Sequence, residues 1–194
     1  MSGVEVGLLP AAAAEDGALV AGLTGLVNGA YALGEVGLWR DGAARVDEDR
    51  MAGLIRAGEV AVASAGPVTT GCVRVRRLDP RTGELGMLAA AAEHRGAGIG
   101  RLLVDFAEWV SAARGLDTMQ LELLVPTGWA HPDKERLHAW YSRRGYRVVR
   151  LGALGEDYPH LVALLATPCV LRIYNRPLPP PSSRPEPRSA YCVD

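Results

Sequence analysis

The feature that most restricts the fold is the run Arg95-Gly96-Ala97-Gly98-Ile99-Gly100-Arg101, set between an apolar stretch and an amphipathic one. Before it, Glu84 to Ala91 reads as a strand entered from the turn Asp79-Pro80-Arg81-Thr82-Gly83. After it, Leu102, Leu103, Phe106, Ala107, Val110 and Ala113 recur at helical spacing, and the helix ends near Gly115. A turn from strand to helix gathers unsatisfied backbone N–H groups at one point. Its glycines let an anion approach, and Arg95 and Arg101 add charge-assisted hydrogen bonds. The run therefore predicts a phosphate site. No Lys-Ser or Lys-Thr pair follows the last glycine, so it is not a nucleoside-triphosphate loop. A dinucleotide fingerprint would end a parallel strand early in a strand-helix-strand unit, with an acid on the next strand.

The flanking sequence predicts what the turn sits in. Val4 to Leu8 reads as a strand, and Asp16 caps a helix through Leu19, Val20, Leu23, Leu26, Val27 and Ala30, closed by Tyr31. Ala32 to Ala44, glycine-rich and carrying Glu35, Trp39 and Arg40, reads as an irregular loop. Asp47 starts a second helix through Met51, Leu54 and Ile55, with Gly58 just past its end. Val60 to Ala65 and Val68 to Leu78 are strands around the turn Ala65-Gly66-Pro67, and Thr118 to Val125 is another. Pro132 opens a helix that Gly145 closes, before strands at Tyr146 to Leu151 and Cys169 to Tyr174. This order implies an α/β fold with a mixed, predominantly antiparallel sheet and helices on both faces.

The chain of 194 residues suits one domain, and 48% hydrophobic with 22% charged residues is a globular balance. A domain over 1–178 is expected, then a Pro/Ser-rich tail over 179–194, extended or mobile. A net charge of -1 argues against nucleic acid or an anionic membrane as partner. Three widely spaced cysteines suit a reducing cytoplasm, and neither an export signal nor a bilayer-spanning stretch is read. His94, His131 and His160 are scattered without ligand spacing, so no metal is expected.

Arg95, Gly98 and Gly100 occupy the pattern Arg/Gln-x-x-Gly-x-Gly/Ala, and in this the chain resembles the acyl-CoA pyrophosphate site of GCN5-related N-acetyltransferases (GNAT). Glu84 to Ala90 looks like that family's fourth strand. Ala139-Trp140-Tyr141-Ser142-Arg143-Arg144-Gly145-Tyr146 is similar to its aromatic-Tyr-x-x-x-Gly-Phe/Tyr helix end. Two departures are Ala91-Ala92, where many members have Asp-Pro, and Lys134, where an asparagine is frequent. The likeness of element order runs from Val4 to Leu178.

The resemblance implies acetyl-CoA as donor, held by Met87, Leu88 and Ala89 and by Arg95, Gly96, Ala97, Gly98, Ile99, Gly100 and Arg101. It implies direct attack by a primary amine of a small molecule or peptide in a ternary complex, and a homodimer of the kind relatives form. Such attack needs an acceptor for the amine's proton, donors to the carbonyl oxygen and an acid for the leaving thiolate. Tyr141 is the acid, or else a ring packed in the core. Backbone N–H groups of Met87 to Ala89 would hold the oxygen. Glu84 is the base by family position, or a strand-end carboxylate beside Arg81. Glu122, flanked by leucines, competes for that role or pairs with an arginine. Tyr31, Glu35 and Trp39 are the acceptor-binding candidates, with Glu35 suited to a cationic amine. The alternatives are a catalytically weak acyl-CoA-binding sensor or interaction module of the same fold, and a nucleotide-binding protein using the same turn.

Overall fold

A computed structural model of the chain describes residues 3–180 except Arg95, and leaves out the Asp157 side chain. The tail from residue 181 onward lies outside the described residues. Seven strands are described: β1 (Glu5–Leu8), β2 (Val60–Ala65), β3 (Val68–Arg77), β4 (Thr82–Ala90), β5 (Thr118–Pro126), β6 (Arg147–Gly152) and β7 (Cys169–Pro177). They form one sheet in the order β1-β2-β3-β4-β5-β7-β6. Every neighbouring pair is antiparallel except β4 and β5. That pair is parallel because a helix, α3 (Ile99–Ala113), carries the chain back between them.

The other principal helices are α1 (Gly17–Gly34), α2 (Glu48–Arg56) and α4 (Pro132–Arg143). Asp16 and Asp47 cap as their sequence positions predict, accepting from the backbone N–H of Leu19 at 3.0 Å and of Arg50 at 2.7 Å. Gly58 follows α2 with a left-handed φ of +68°. α1 runs three residues past the expected stop at Tyr31, to Gly34.

Strand alternation sorts the side chains between two layers. Val73, Val75, Leu85, Met119 and Leu121 face α3 and pack with Leu103, Phe106 and Ala107. Val60, Cys72 and Ala89 face the other way, onto Val20, Leu23 and Val27 of α1 and Met51 and Ile55 of α2. α3 lies so close to β3 that a Cβ on Gly71 would stand 2.7 Å from Ile99 Cγ2 and 2.8 Å from the Ala89 carbonyl oxygen. By length and composition α1 could cross a bilayer, which the sequence reading did not anticipate; here its inner side is part of the core.

The segment between β6 and β7, to which the sequence reading assigned no element, folds into two short helices, α5 (Leu154–Asp157) and α6 (Pro159–Val162). The expected irregular loop after α1 is zipped to this segment. The Arg40 N–H donates to Leu164 O at 2.8 Å and the Ala166 N–H to Leu38 O at 2.9 Å. Leu38, fully buried, joins Leu154, Leu161, Leu171 and Ile173 in a third apolar cluster.

Candidate active site

The site originates in the one parallel pair. β4 and β5 are in register from Thr82–Thr118 to Leu85–Leu121, and there the pairing stops. Just beyond, β4 spends three steps, Gly86 to Ala89, where β3 spends two, Arg74 to Cys72. The extra residue is a bulge, and Met87 at its centre has φ +49°, the only positive φ among the described non-glycine residues. The bulge resets the alternation, so that Met87 turns to the α1 side and Leu88 to the α3 side. A cleft of about 200 Å³ opens between the separating strands. α1, α4 and the α5–α6 segment wall it.

All three proposed catalytic residues line this cleft. Glu84, 4% exposed, accepts from Arg76 Nε at 2.9 Å and Nη2 at 2.6 Å, both onto Oε2. Its Oε1 has no hydrogen-bond donor among the described residues. The partner is thus Arg76 and not Arg81, which pairs with Asp117. Glu122 lies on the same sheet face as Gln120, the residue opposite Glu84, and its Oε2 accepts from the Tyr158 hydroxyl at 3.0 Å. Burial, then the charges of Glu84 and Glu122, push the Tyr158 phenol well above the usual tyrosine range. Tyr158 therefore stays protonated beside both carboxylates, a residue the sequence reading missed because no pattern marks it.

Tyr141 reaches the cleft from α4. It is 6% exposed, with its ring edge-on to Tyr146 at 5.7 Å, and burial raises its phenol well above the usual range. No hydrogen bond to its hydroxyl is present among the described residues. The core reading and the site reading are therefore both satisfied: the ring packs and the side chain lines the opening. Lys134, seven residues earlier and so on the same helical face, is the other buried residue of α4. It is the only lysine of the chain. That lone lysine two turns before Tyr141 was the available signal for a cleft residue.

Lys134 Nζ donates to Glu35 Oε1 at 2.5 Å, and Trp39 Nε1 to Glu35 Oε2 at 2.5 Å. Tyr31 and Glu35 line the cleft, whereas Trp39 lies outside the lining and acts by holding Glu35. The arginine run of β3 is likewise engaged. Arg74 pairs with Glu59 at 2.7 Å, and Arg77 donates to Arg114 O at 3.0 Å.

The glycine turn is separate from this lining. Arg95 lies outside the described residues. Gly96 and Gly98 have φ of +85° and +79°, and Gly98 opens α3 without a side-chain cap. A Cβ on Gly96, Gly98 or Gly100 would meet nothing within 4 Å, so packing leaves the space over these residues open. Ile99 points inward, 2% exposed, and Ala97 packs against the same core. Arg101 Nε is 3.6 Å from Asp105.

Residues 56–148 match the family model of the acetyltransferase (GNAT) domain. Among solved structures, the chain is similar to yncA from Salmonella typhimurium with its cofactor acetyl-CoA, at TM-score 0.64 and 16% identity over 94% of this chain and 98% of that one. It is similar to IAA acetyltransferase from Bacillus cereus, at TM-score 0.60 and 17% identity over 90% and 99%. A third is the ribosomal-protein-S18-alanine N-acetyltransferase from Escherichia coli, at TM-score 0.60 and 11% identity over 93% and 97%. No protein of curated function matches the sequence. At these identities the structures share the fold, and the family model covers β2 through α4, the elements that build the bulge, the turn and the Tyr141 helix. The chain carries a domain of the GNAT acetyltransferase family.

Proposed function

We propose that the protein moves an acetyl group from acetyl-CoA to a primary amine by direct attack in a ternary complex. The observation that carries this reading is the convergence of Glu84, Glu122 and Tyr141 on the cleft where β4 leaves β5. The residues present fit the donor. An uncapped helix start under open space suits a pyrophosphate, and Arg95 completes that site by resemblance. Acetyl-CoA supplies the thioester whose carbonyl carbon the amine attacks.

The bulge frees backbone from the β3–β4 ladder, which supports Met87 to Ala89 as donors to the carbonyl oxygen. Glu84, through its open Oε1, takes the proton of the amine, and Glu122 is the second candidate for that step. Tyr141 gives its proton to the departing sulfur. Because burial holds that proton at neutral pH, Tyr141 enters each cycle as an acid.

Free-thiol release from acetyl-CoA across an amine panel tests this. Tyr141→Phe should lower kcat about 10²- to 10³-fold while KM for acetyl-CoA stays near that of the parent. Full activity in Tyr141→Phe at every pH would remove the acid assignment. Of Glu84→Gln and Glu122→Gln, the one with the larger kcat loss is the base. Tight acetyl-CoA binding without turnover on any amine would replace the enzyme reading by the sensor.

A further inference from the structure

The acceptor end of the cleft is lined by Tyr31, Glu35, Arg45 and Arg50. Glu35 is the residue that a cationic acceptor would seek, and it is already matched. It is 4% exposed, and both carboxylate oxygens are engaged, one by Lys134 and the other by Trp39. One negative charge therefore faces one buried lysine at hydrogen-bond distance, and Arg45 is a second cation beside the same carboxylate.

Arg45 itself is unsatisfied. Its Nε lies 3.8 Å from Glu35 Oε2, too far for a hydrogen bond, and its side chain makes none among the described residues. Nη1 is buried without a partner. Yet the guanidinium is held in place. Its central carbon sits 4.9 Å from the Tyr31 ring centroid and 4.3 Å from that of Trp39. A planar fork fixed by two aromatic rings, with its N–H groups unspent, is pre-organised for a planar anion. Arg50, on α2, adds an exposed guanidinium without an ion pair among the described residues. The third arginine of the lining, Arg74, is neutralised by Glu59.

Resting on the acetyltransferase reading above, we propose that the acceptor is a small amine carrying a carboxylate, of the free amino-acid class. Arg45 receives the carboxylate, Arg50 assists, and the amine faces the Glu84–Glu122 side of the cleft. A polycationic amine would bring like charge to Arg45 and find Glu35 already paired. The roles of the loop residues follow. Trp39 and Tyr31 shape the site by holding Arg45, and Glu35 by orienting it, without themselves gripping the amine.

The test uses the intact protein, acetyl-CoA and matched acceptors: free L-amino acids, their carboxamides, the corresponding decarboxylated amines, phosphate-bearing amines and polyamines. The expected result is kcat/KM at least tenfold higher for the carboxylates than for their amides and decarboxylated partners. Arg45→Gln should raise KM for the carboxylated acceptors and narrow that gap, and Arg45→Lys should restore only part of it, because the fork is lost. Equal or better rates on amides, decarboxylated amines or polyamines would overturn the proposal while leaving the acetyltransferase reading standing. A preference for phosphate-bearing amines would overturn the carboxylate assignment. Absence of transfer to every member would sink the acetyltransferase reading, and this one with it. The comparison of acid with amide is made on the parent protein, so it holds even if the Arg45 variants fold poorly.

Discussion

The two sides of the proposed site are built in opposite ways. The donor side is one continuous stretch, β4 through α3, in which strand, bulge, turn and helix follow one another from Thr82 to Ala113. The acceptor side is assembled from pieces far apart in sequence: the end of α1, the loop that follows it, the buried face of α4 and the α5–α6 segment. Its parts are held by side-chain contacts such as Lys134 to Glu35 and by the backbone zipper between Leu38–Arg40 and Leu164–Ala166. The donor side is fixed by backbone geometry, which tolerates change in side chains but not in steric room. The acceptor side is fixed by a few polar side chains, which makes it easy to retune and easy to break.

Three measurements bear on that contrast. The largest effect is expected from Lys134→Ala. Removing one partner of a buried pair leaves Glu35 charged and poorly matched, at a cost of about 3–5 kcal/mol. Lys134→Met with Glu35→Gln should recover much of it, and a denaturation series across the three proteins checks this. Equal stability of Lys134→Ala and the parent would mean that the acceptor side does not depend on the pair. Next comes Gly71→Ala, on β3 directly against the donor side's α3. The added methyl would stand 2.7 Å from Ile99 Cγ2 and 2.8 Å from a backbone oxygen, so α3 must shift, for a loss of about 2 kcal/mol. Acetyl-CoA binding should suffer along with stability, because α3 carries the turn.

The smallest effect is alkaline. Burial pushes the Cys72 thiol from an ordinary 9.0 up to about 12, and burial likewise pushes Tyr31 up to about 12. The folded chain keeps these protons longer than the unfolded one. Stability from this source is therefore full below about pH 9 and is lost as pH rises toward 12. Over the first pH unit above 9 the expected fall is about 1 kcal/mol, read from urea midpoints at successive pH values. Cys72→Ala should remove the part that begins nearest pH 9, and an unaltered pH profile in that variant would reassign the effect.

What could be read in advance follows the same division. The strand, turn and helix around Gly98, the caps Asp16 and Asp47, and the Tyr141 helix end are local patterns, and each appears where its pattern put it. The bulge at Met87 was invisible as such, because nothing local requires a methionine to take a positive φ. Tyr158 and Arg45 were not legible either. Each owes its place to contacts across the fold, Tyr158 to Glu122 and Arg45 to Tyr31 and Trp39. Glu35 was recognised as a cleft residue, but only the fold reveals that Lys134, 99 positions away, meets it. Periodicity reports which face a residue occupies, and it is silent on which distant partner waits there.

The position of β7 has a consequence for the order in which the molecule can come into being. The last described strand is inserted between β5 and β6, and it also brings Leu171 and Ile173 to the cluster that seats α5 and α6. As the chain emerges from a ribosome, β1 to β4 and α1 to α3 can already associate, since their contacts lie within residues already made. β5 must wait with one long side unpaired until Cys169–Pro177 has cleared the exit tunnel, several seconds later at about 5–20 residues per second. Newly made protein thus holds the makings of the proposed donor side well before those of the proposed acceptor side.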